Sequence, residues 1–251
     1  MSYLETRSIV IKVMDYGESD KIITFFTEHF GKLNGIAKGA KRSKKRFVNK
    51  LEFFSLLQII AVPSRHSTLS RVDSAVLISS YPPLRENYKR YTAAMLVCEL
   101  VDQWTKENDR DEDLFYLLQW CMEQLSQATR FIATVLFFYV KMLKILGISP
   151  QLDHCLICSD MVREDRNLRF SLAENGIICS RCSASYKSGV TVPISLGAVK
   201  SLQMIQFLPF EKLQRLKISD PTLAEIAAIL KNSTQFQLQR EIVSWNQAMK
   251  F

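Results

Sequence analysis

Four cysteines of this chain are spaced as ligands of a single metal ion. Cys155 and Cys158 form one C-x-x-C pair, and Cys179 and Cys182 form a second pair after twenty intervening residues. A C-x-x-C turn directs two sulfurs to one point, and two such turns supply the four thiolates that Zn²⁺ binds tetrahedrally at about 2.3 Å. The spacing therefore predicts a zinc ribbon that holds one Zn²⁺.

The predicted metal is structural, because four thiolates fill its shell, whereas catalytic zinc keeps one position open for water or substrate. His154 stands beside the first pair and could replace a thiolate, although four cysteines already suffice. Two disulfides or four unconnected thiols are the alternatives. Disulfides require an oxidising compartment, and residues 1–7 lack the apolar core of a signal peptide. The longest uncharged apolar stretch, residues 131–140, is too short to span a bilayer, so we expect a soluble cytoplasmic protein.

A second group of residues could bind a polyanion. Residues 38–50 contain seven cations and no acid: Lys38, Lys41, Arg42, Lys44, Lys45, Arg46 and Lys50. This basic loop is either solvated and mobile or binds phosphates, with its cations displacing condensed counterions. We favour phosphate binding, since the loop joins two predicted strands; a nuclear import signal is a weaker alternative. About six contacts with a single strand would give log K against log salt a slope of roughly −4.

Aromatic residues near the basic loop bear on which nucleic acid it binds, because single strands also stack on exposed rings. Phe47 lies within the loop and is the best candidate for stacking, with local packing as the alternative. Phe25 and Phe26 should point to opposite faces of one strand, so we expect one of them in the core.

The positive charge is concentrated toward the N-terminus. The chain of 251 residues has a net charge of +8. Residues 1–80 contribute +6 (13 cations against 7 acids), residues 81–150 contribute −1 (8 against 9) and residues 151–251 contribute +3 (12 against 9). This asymmetry indicates a polyanionic partner bound by the N-terminal part.

The elements that position these groups are predicted to be strands first and helices afterwards. Five segments rich in β-branched and aromatic residues suit a small barrel: 8–13, 21–27, 33–37, 51–62 and 68–79. A buried helix is the alternative for residues 53–60 of the fourth segment. The sequence Tyr-Pro-Pro at 81–83 marks a boundary. We therefore expect an α+β protein with one domain over residues 1–80 and a helical domain over residues 81–251.

Within the second domain, apolar residues recur at helical spacing over six segments: 88–105, 111–125, 130–146, 196–207, 211–216 and 221–249. The dipeptide Asp220-Pro221 is a start signal for the last helix. The zinc ribbon occupies about 151–190. Inside it, Leu168, Phe170 and Leu172 alternate with polar residues before an Asn-Gly turn, which predicts a hairpin that returns the second cysteine pair to the first.

No catalytic pattern accompanies these features. The cysteine pairs lack the H-x-E of a zinc deaminase, and the chain contains no P-loop and no G-x-G-x-x-G. The three histidines, His29, His66 and His154, are far apart in the sequence. We predict a nucleic-acid-binding protein that is not an enzyme; the alternatives are an RNA-binding accessory factor and a zinc-dependent nuclease or deaminase.

The chain resembles the RecO family of bacterial recombination mediators over essentially its whole length. The shared motifs are Gly-Glu-Ser-Asp-Lys at 17–21, Phe-Thr at 26–27, Gly-Lys at 31–32, Ala-Lys-Gly-Ala-Lys-Arg at 37–42, Glu-Leu-Val-Asp at 99–102, Leu-Phe-Tyr-Leu-Leu at 114–118 and Leu-Gly-Ile-Ser-Pro-Gln-Leu-Asp at 146–153. Each motif is loose, but their order and spacing are specific. Phe53, where many members have proline, and Ser159, where glycine often follows the second cysteine, depart from the pattern.

The resemblance implies an N-terminal oligonucleotide-binding (OB) barrel, a helical domain and an inserted four-cysteine ribbon with one structural Zn²⁺. It also implies an activity: binding single- and double-stranded DNA, annealing complementary strands and helping to load the RecA recombinase onto strands coated by single-strand-binding protein. The implied partners are RecR and the acidic C-terminal tail of single-strand-binding protein. Such a protein would work at the bacterial nucleoid.

Overall fold

The computed structural model of the chain describes residues 3–64, 66–127, 129–162, 167–187 and 189–249. Its residues cluster into two compact units, one that ends at Phe131 and one that covers Ile132–Met249. The first unit contains the barrel together with the helices that follow it. A domain boundary after residue 80 stays a prediction.

The N-terminal strands close into a barrel in the order β1-β2-β3-β5-β4. Their bounds are Leu4–Tyr16 (β1), Asp20–Thr27 (β2), Gly31–Ala37 (β3), Leu56–Val62 (β4) and Ser70–Ser79 (β5). Pairing is antiparallel except between β3 and β5, which meet in parallel at Gly35 and Ser70. This OB-like barrel confirms the predicted N-terminal fold and the α+β class.

The barrel surrounds one apolar cluster. Alternate residues of the strands point inward, among them Phe25, Leu33 and Ile59, as expected for a strand with one face on the core. The connection between β3 and β4 adds Phe47 and Leu51 to the same cluster. The predicted fourth strand was too long at its start: residues 51–55 form turns, and Phe54 has a φ of +70°, which interrupts the extended backbone that a strand needs.

Among the described residues of the first unit, the α-helices are α1 (Pro82–Glu86), α2 (Tyr88–Trp104) and α3 (Glu112–Gln127). Helix α2 packs against β1. Several polar contacts tie helices to the barrel, including the following two. Lys32 donates to the backbone carbonyl of Asp102 at 2.6 Å, and Arg7 binds both carboxylate oxygens of Glu28, which also accepts from Tyr116 Oη at 2.6 Å.

The second unit is mainly helical and contains one small sheet, of order β7-β6-β8. Its elements are α4 (Phe131–Ile145), β6 (Leu168–Ser171), β7 (Gly176–Ile178), α5 (Ser180–Ser183), β8 (Thr191–Ile194), α6 (Leu196–Phe207), a 3-10 helix (Phe210–Arg215), α7 (Asp220–Leu238) and α8 (Val243–Ala248). None of the helices in the described part of the chain is long and apolar enough to cross a membrane.

The prediction of one last helix over 221–249 was wrong, because two helices occupy this segment. Gln239 has a φ of +53° and ends α7, since this left-handed conformation cannot continue a right-handed helix. The predicted cap also shifts by one residue: Ser219 accepts the N–H of Thr222, while Asp220 already lies in the first turn.

Candidate nucleic-acid interface and metal centre

The basic loop connects β3 to β4 and has a defined hydrogen-bonded conformation. Gly39 turns the chain with a φ of +69°, and a short 3-10 helix, Ala40–Arg42, follows it. Ser43 Oγ then accepts the N–H of Phe47 at 2.9 Å. The burial of Phe47 and Leu51, which are 3% and 1% exposed, fixes the far end of the loop to the barrel core.

The turn between β1 and β2 holds the near end of the loop. Asp20 Oδ1 accepts the backbone N–H of Gly39 at 2.8 Å and the hydroxyl of Ser19 at 2.9 Å. The hydrogen bond from Gly39 and, to a smaller extent, that from Ser19 hold the pKa of Asp20 below its usual range. The carbonyl of Ser19 accepts the N–H of Lys41 at 2.9 Å. Sequence reasoning assigned no role to Asp20, since nothing in the spacing indicates that this acid meets residue 39.

All seven cations of the basic loop lie on its surface, six of them exposed and Lys50 half-buried. Two are paired with acids of the β1–β2 region, Lys41 with Asp15 at 3.2 Å and Arg42 with Glu18 at 3.3 Å.

The remaining cations of the loop are held by backbone groups or carry no ion pair. Arg46 donates to the carbonyl of Lys38 at 2.7 Å, and Lys50 donates to the carbonyl of Arg46 at 2.9 Å. Within the described residues, the side chains of Lys38, Lys44 and Lys45 make no ion pair. Their charges are therefore available to an incoming anion.

Phe47 points into the barrel core, and the guanidinium of Arg46 lies 4.4 Å from the centre of its ring. Local packing, the alternative to base stacking, describes Phe47 in this conformation. To stack face-on with a base, the ring would first have to leave the core.

The four cysteines of the ribbon meet at one point. Their Sγ atoms all lie within 4.8 Å of one another, and Cys158 Sγ and Cys179 Sγ are 3.8 Å apart. Four sulfurs at about 2.3 Å from a tetrahedral Zn²⁺ are separated by about 3.8 Å. The cluster is thus compatible with a zinc site, and His154 does not belong to it.

Local structure explains how each pair is presented. The antiparallel strands β6 and β7 form the predicted hairpin and place Cys179 directly after β7. Cys182 follows within α5. In the first pair, the N–H of Ser159 donates to the carbonyl of Cys155 at 3.0 Å, and Ser159 has a φ of +58°. This left-handed conformation favours glycine, the residue that the family resemblance leads us to expect at this position.

The cluster is partly shielded from water. Cys155 and Cys179 are buried, Cys182 is intermediate and Cys158 is exposed. Burial opposes ionisation of the Cys155 thiol, but backbone N–H groups, including that of Ile157, outweigh it and lower the pKa of Cys155. Arg181 forms an ion pair with Asp160 at the surface of the same region. Residues 163–166 and 188 of the predicted ribbon lie outside the described residues.

Comparison with known proteins places both regions in one family. Residues 1–81 match the family model described as "Recombination protein O N terminal", and residues 85–246 match "Recombination protein O C terminal". A DNA repair protein RecO of Syntrophus aciditrophicus is 31% identical over 96% of this chain and 93% of the relative. Another, of Thermodesulfovibrio yellowstonii, is 31% identical over 92% of this chain and 91% of the relative.

Proposed function

The chain belongs to the RecO family of DNA repair proteins, and from this membership we propose that it is a recombination mediator that binds DNA through the basic loop of its barrel. The observation that carries the proposal is the set of exposed cations on this loop, among which Lys38, Lys44 and Lys45 make no ion pair with any described residue. Such cations contact phosphates without regard to sequence.

All seven loop cations are assigned phosphate contacts in this proposal. Arg42 would exchange its carboxylate partner Glu18 for a phosphate, whereas Lys41, which has three N–H donors, would contact a phosphate while it keeps its ion pair with Asp15. Because phosphates are present in both forms of DNA, the loop would bind single and double strands. Neutralising the phosphates of two strands at once also lowers their repulsion, which is the physical requirement for annealing complementary strands.

We further propose that the protein acts with RecR and with the acidic C-terminal tail of single-strand-binding protein. In this role it helps to load RecA onto single strands that the single-strand-binding protein covers. Because its substrate is chromosomal DNA, the protein would act in the cytoplasm, at the nucleoid.

The proposed cofactor is one structural Zn²⁺, held by Cys155, Cys158, Cys179 and Cys182. The donor set fits the metal: four sulfurs within 4.8 Å of one another, with N–H groups directed at Cys155 Sγ. Bound zinc would stabilise the local fold by roughly 10–16 kcal/mol of apparent binding free energy. Because four thiolates leave no position for a substrate, we assign the protein no catalytic activity.

Direct binding measurements test this function. Fluorescence anisotropy with single-stranded DNA, duplex DNA and RNA of the same sequence should show binding to both DNA forms and weaker competition by RNA. Stronger binding to RNA would favour an RNA-binding accessory factor. Incubation of the zinc-loaded protein with labelled nucleic acid should give no product, and metal-dependent cleavage or deamination would refute the proposal that the protein is not an enzyme.

A further inference from the structure

A cavity of about 360 Å³ lies beside the basic loop. Loop residues, including Lys41 and Val48, line it together with Asp15 of β1, Lys21 of β2 and Glu52. We propose that this cavity binds one unstacked base of a single strand whose phosphates the basic loop contacts. The inference deepens the proposed function and rests on it, since it requires that the loop binds a nucleic acid.

The size and the apolar part of the cavity suit a base. Small-molecule sites in proteins span about 300–1,000 Å³, so a cavity of about 360 Å³ has room for one ring system. Val48, which is 45% exposed, contributes accessible apolar surface on the solvent side, while Phe47 and Leu51 are buried beneath the floor of the cavity. A base that leaves its stack needs such surface to cover its faces.

The charges that line the cavity favour a neutral group over a phosphate. Lys21 Nζ lies 3.0 Å from Glu52 Oε1, and Lys41 Nζ lies 3.2 Å from Asp15 Oδ2. The two cations and two carboxylates sum to zero, so a phosphate would gain no net attraction and would meet two negative groups.

Each of these ion pairs sets a hydrogen-bond donor beside an acceptor. The polar edge of every base also carries donors and acceptors side by side. The cavity can therefore hold a base of any identity.

The position of the cavity links it to the phosphate contacts. Lys44 and Lys45 belong to the same loop as Lys41 and Val48 and make no ion pair within the described residues. A strand held by these cations therefore has its bases next to the cavity. In a duplex each base is paired and stacked and would have to be flipped out at a cost. The cavity thus adds a preference for single strands, which loop charges do not supply by themselves.

The test compares a single-stranded oligonucleotide with an abasic oligonucleotide of equal length, which has the same phosphates and no bases. Wild type should bind the base-bearing strand about tenfold more tightly, the size expected from one stacked base. The double variant K21M/E52Q removes one cation and one acid, so its net charge is unchanged. In K21M/E52Q, the ratio of the affinity for the base-bearing strand to that for the abasic strand should fall toward one, while the affinity for the abasic strand is retained.

A second ion pair on the barrel provides the matched control. Arg71 and Asp73 on β5 lie 2.6 Å apart and do not line the cavity, so R71M/D73N should keep the wild-type ratio. A wild-type ratio near one, or an unchanged ratio in K21M/E52Q, would overturn the inference while leaving the loop as a DNA-binding site. Displacement of the oligonucleotide by a free deoxynucleoside monophosphate at equal concentration would also overturn it, by assigning the cavity to free nucleotides. If wild type bound neither the base-bearing nor the abasic oligonucleotide, the proposed function itself would be refuted.

Discussion

Removing the cations that make no ion pair should change how DNA affinity depends on salt. Lys44 and Lys45 are exposed and have no carboxylate partner in the described part of the chain, so each can contact a phosphate without first breaking an ion pair. The variant K44A/K45A should therefore make two fewer phosphate contacts with single-stranded DNA than wild type does, and release correspondingly fewer counterions.

The magnitude follows from the number of exposed cations. If the six exposed cations of the loop contact a single strand, log K falls against log salt with a slope of about −4, at roughly −0.7 per phosphate. Loss of two contacts gives a slope of about −2.8. Between about 50 and 200 mM salt, wild type should lose affinity about 300-fold and the variant about 50-fold.

Fluorescence anisotropy titrations at several salt concentrations give both slopes. The control variant K200A/K217A removes the same charge from exposed positions of the second unit, and its slope should remain that of wild type. Equal slopes for K44A/K45A and wild type would refute the assignment of these lysines to phosphates.

Three further predictions concern the fold that supports the loop and the cluster. Elemental analysis should find about one zinc per chain, and chelation should lower the melting temperature; purified protein without zinc would refute the site around Cys155. Hydrogen bonds from Arg7 lower the pKa of Glu28 to about 2 from 4.5, so this group stabilises the fold above its ordinary pKa and the stabilisation is lost as pH falls toward 2. E28Q should lower the free energy of unfolding by about 2 kcal/mol at pH 7, and its melting temperature should fall less steeply than that of wild type as the pH is lowered. An equally steep fall would contradict the stabilising role of the Glu28 carboxylate. Gly31 has a φ of +63°, and an added Cβ would collide with the carbonyl of Asp109. G31A should therefore lower the free energy of unfolding by at least about 2 kcal/mol and the melting temperature by about 6 °C. An unchanged melting temperature would refute the close approach of Asp109 to Gly31.

Local patterns were sufficient to predict the elements that carry the two sites. Helix α6 spans Leu196–Phe207 as its apolar spacing indicates, and the hairpin of β6 and β7 follows from alternation and an Asn-Gly turn. The spacing of the four cysteines predicted their meeting point because each C-x-x-C turn directs two sulfurs toward one point. In each case the signal lies within a few residues along the chain.

Features that depend on distant residues were not predictable in this way. Phe25 and Phe26 are both fully buried, although their opposite directions predicted only that one of them lies in the core. Helix α2 covers β1, the strand paired with β2 at this point, so both faces of the sheet are shielded there. A single strand pattern cannot reveal that a helix will cover its outer face.

The cavity and the pairing of the loop cations depend on contacts between separate segments. Lys21 and Glu52 are thirty-one positions apart, and no short pattern in the sequence relates them. The same is true of Asp15 and Lys41. The sequence therefore predicts a uniformly basic loop, whereas within the described residues two of its cations are paired with acids and the others make no ion pair.

The measurement that bears most directly on the proposed function is annealing of complementary strands coated with the cognate single-strand-binding protein. Wild type should accelerate annealing, and K41A/R42A/K44A/K45A should lose most of that acceleration while keeping its zinc and its melting temperature. Failure of wild type to anneal the coated strands would contradict the mediator role, and full activity of the variant would contradict the role of the basic loop.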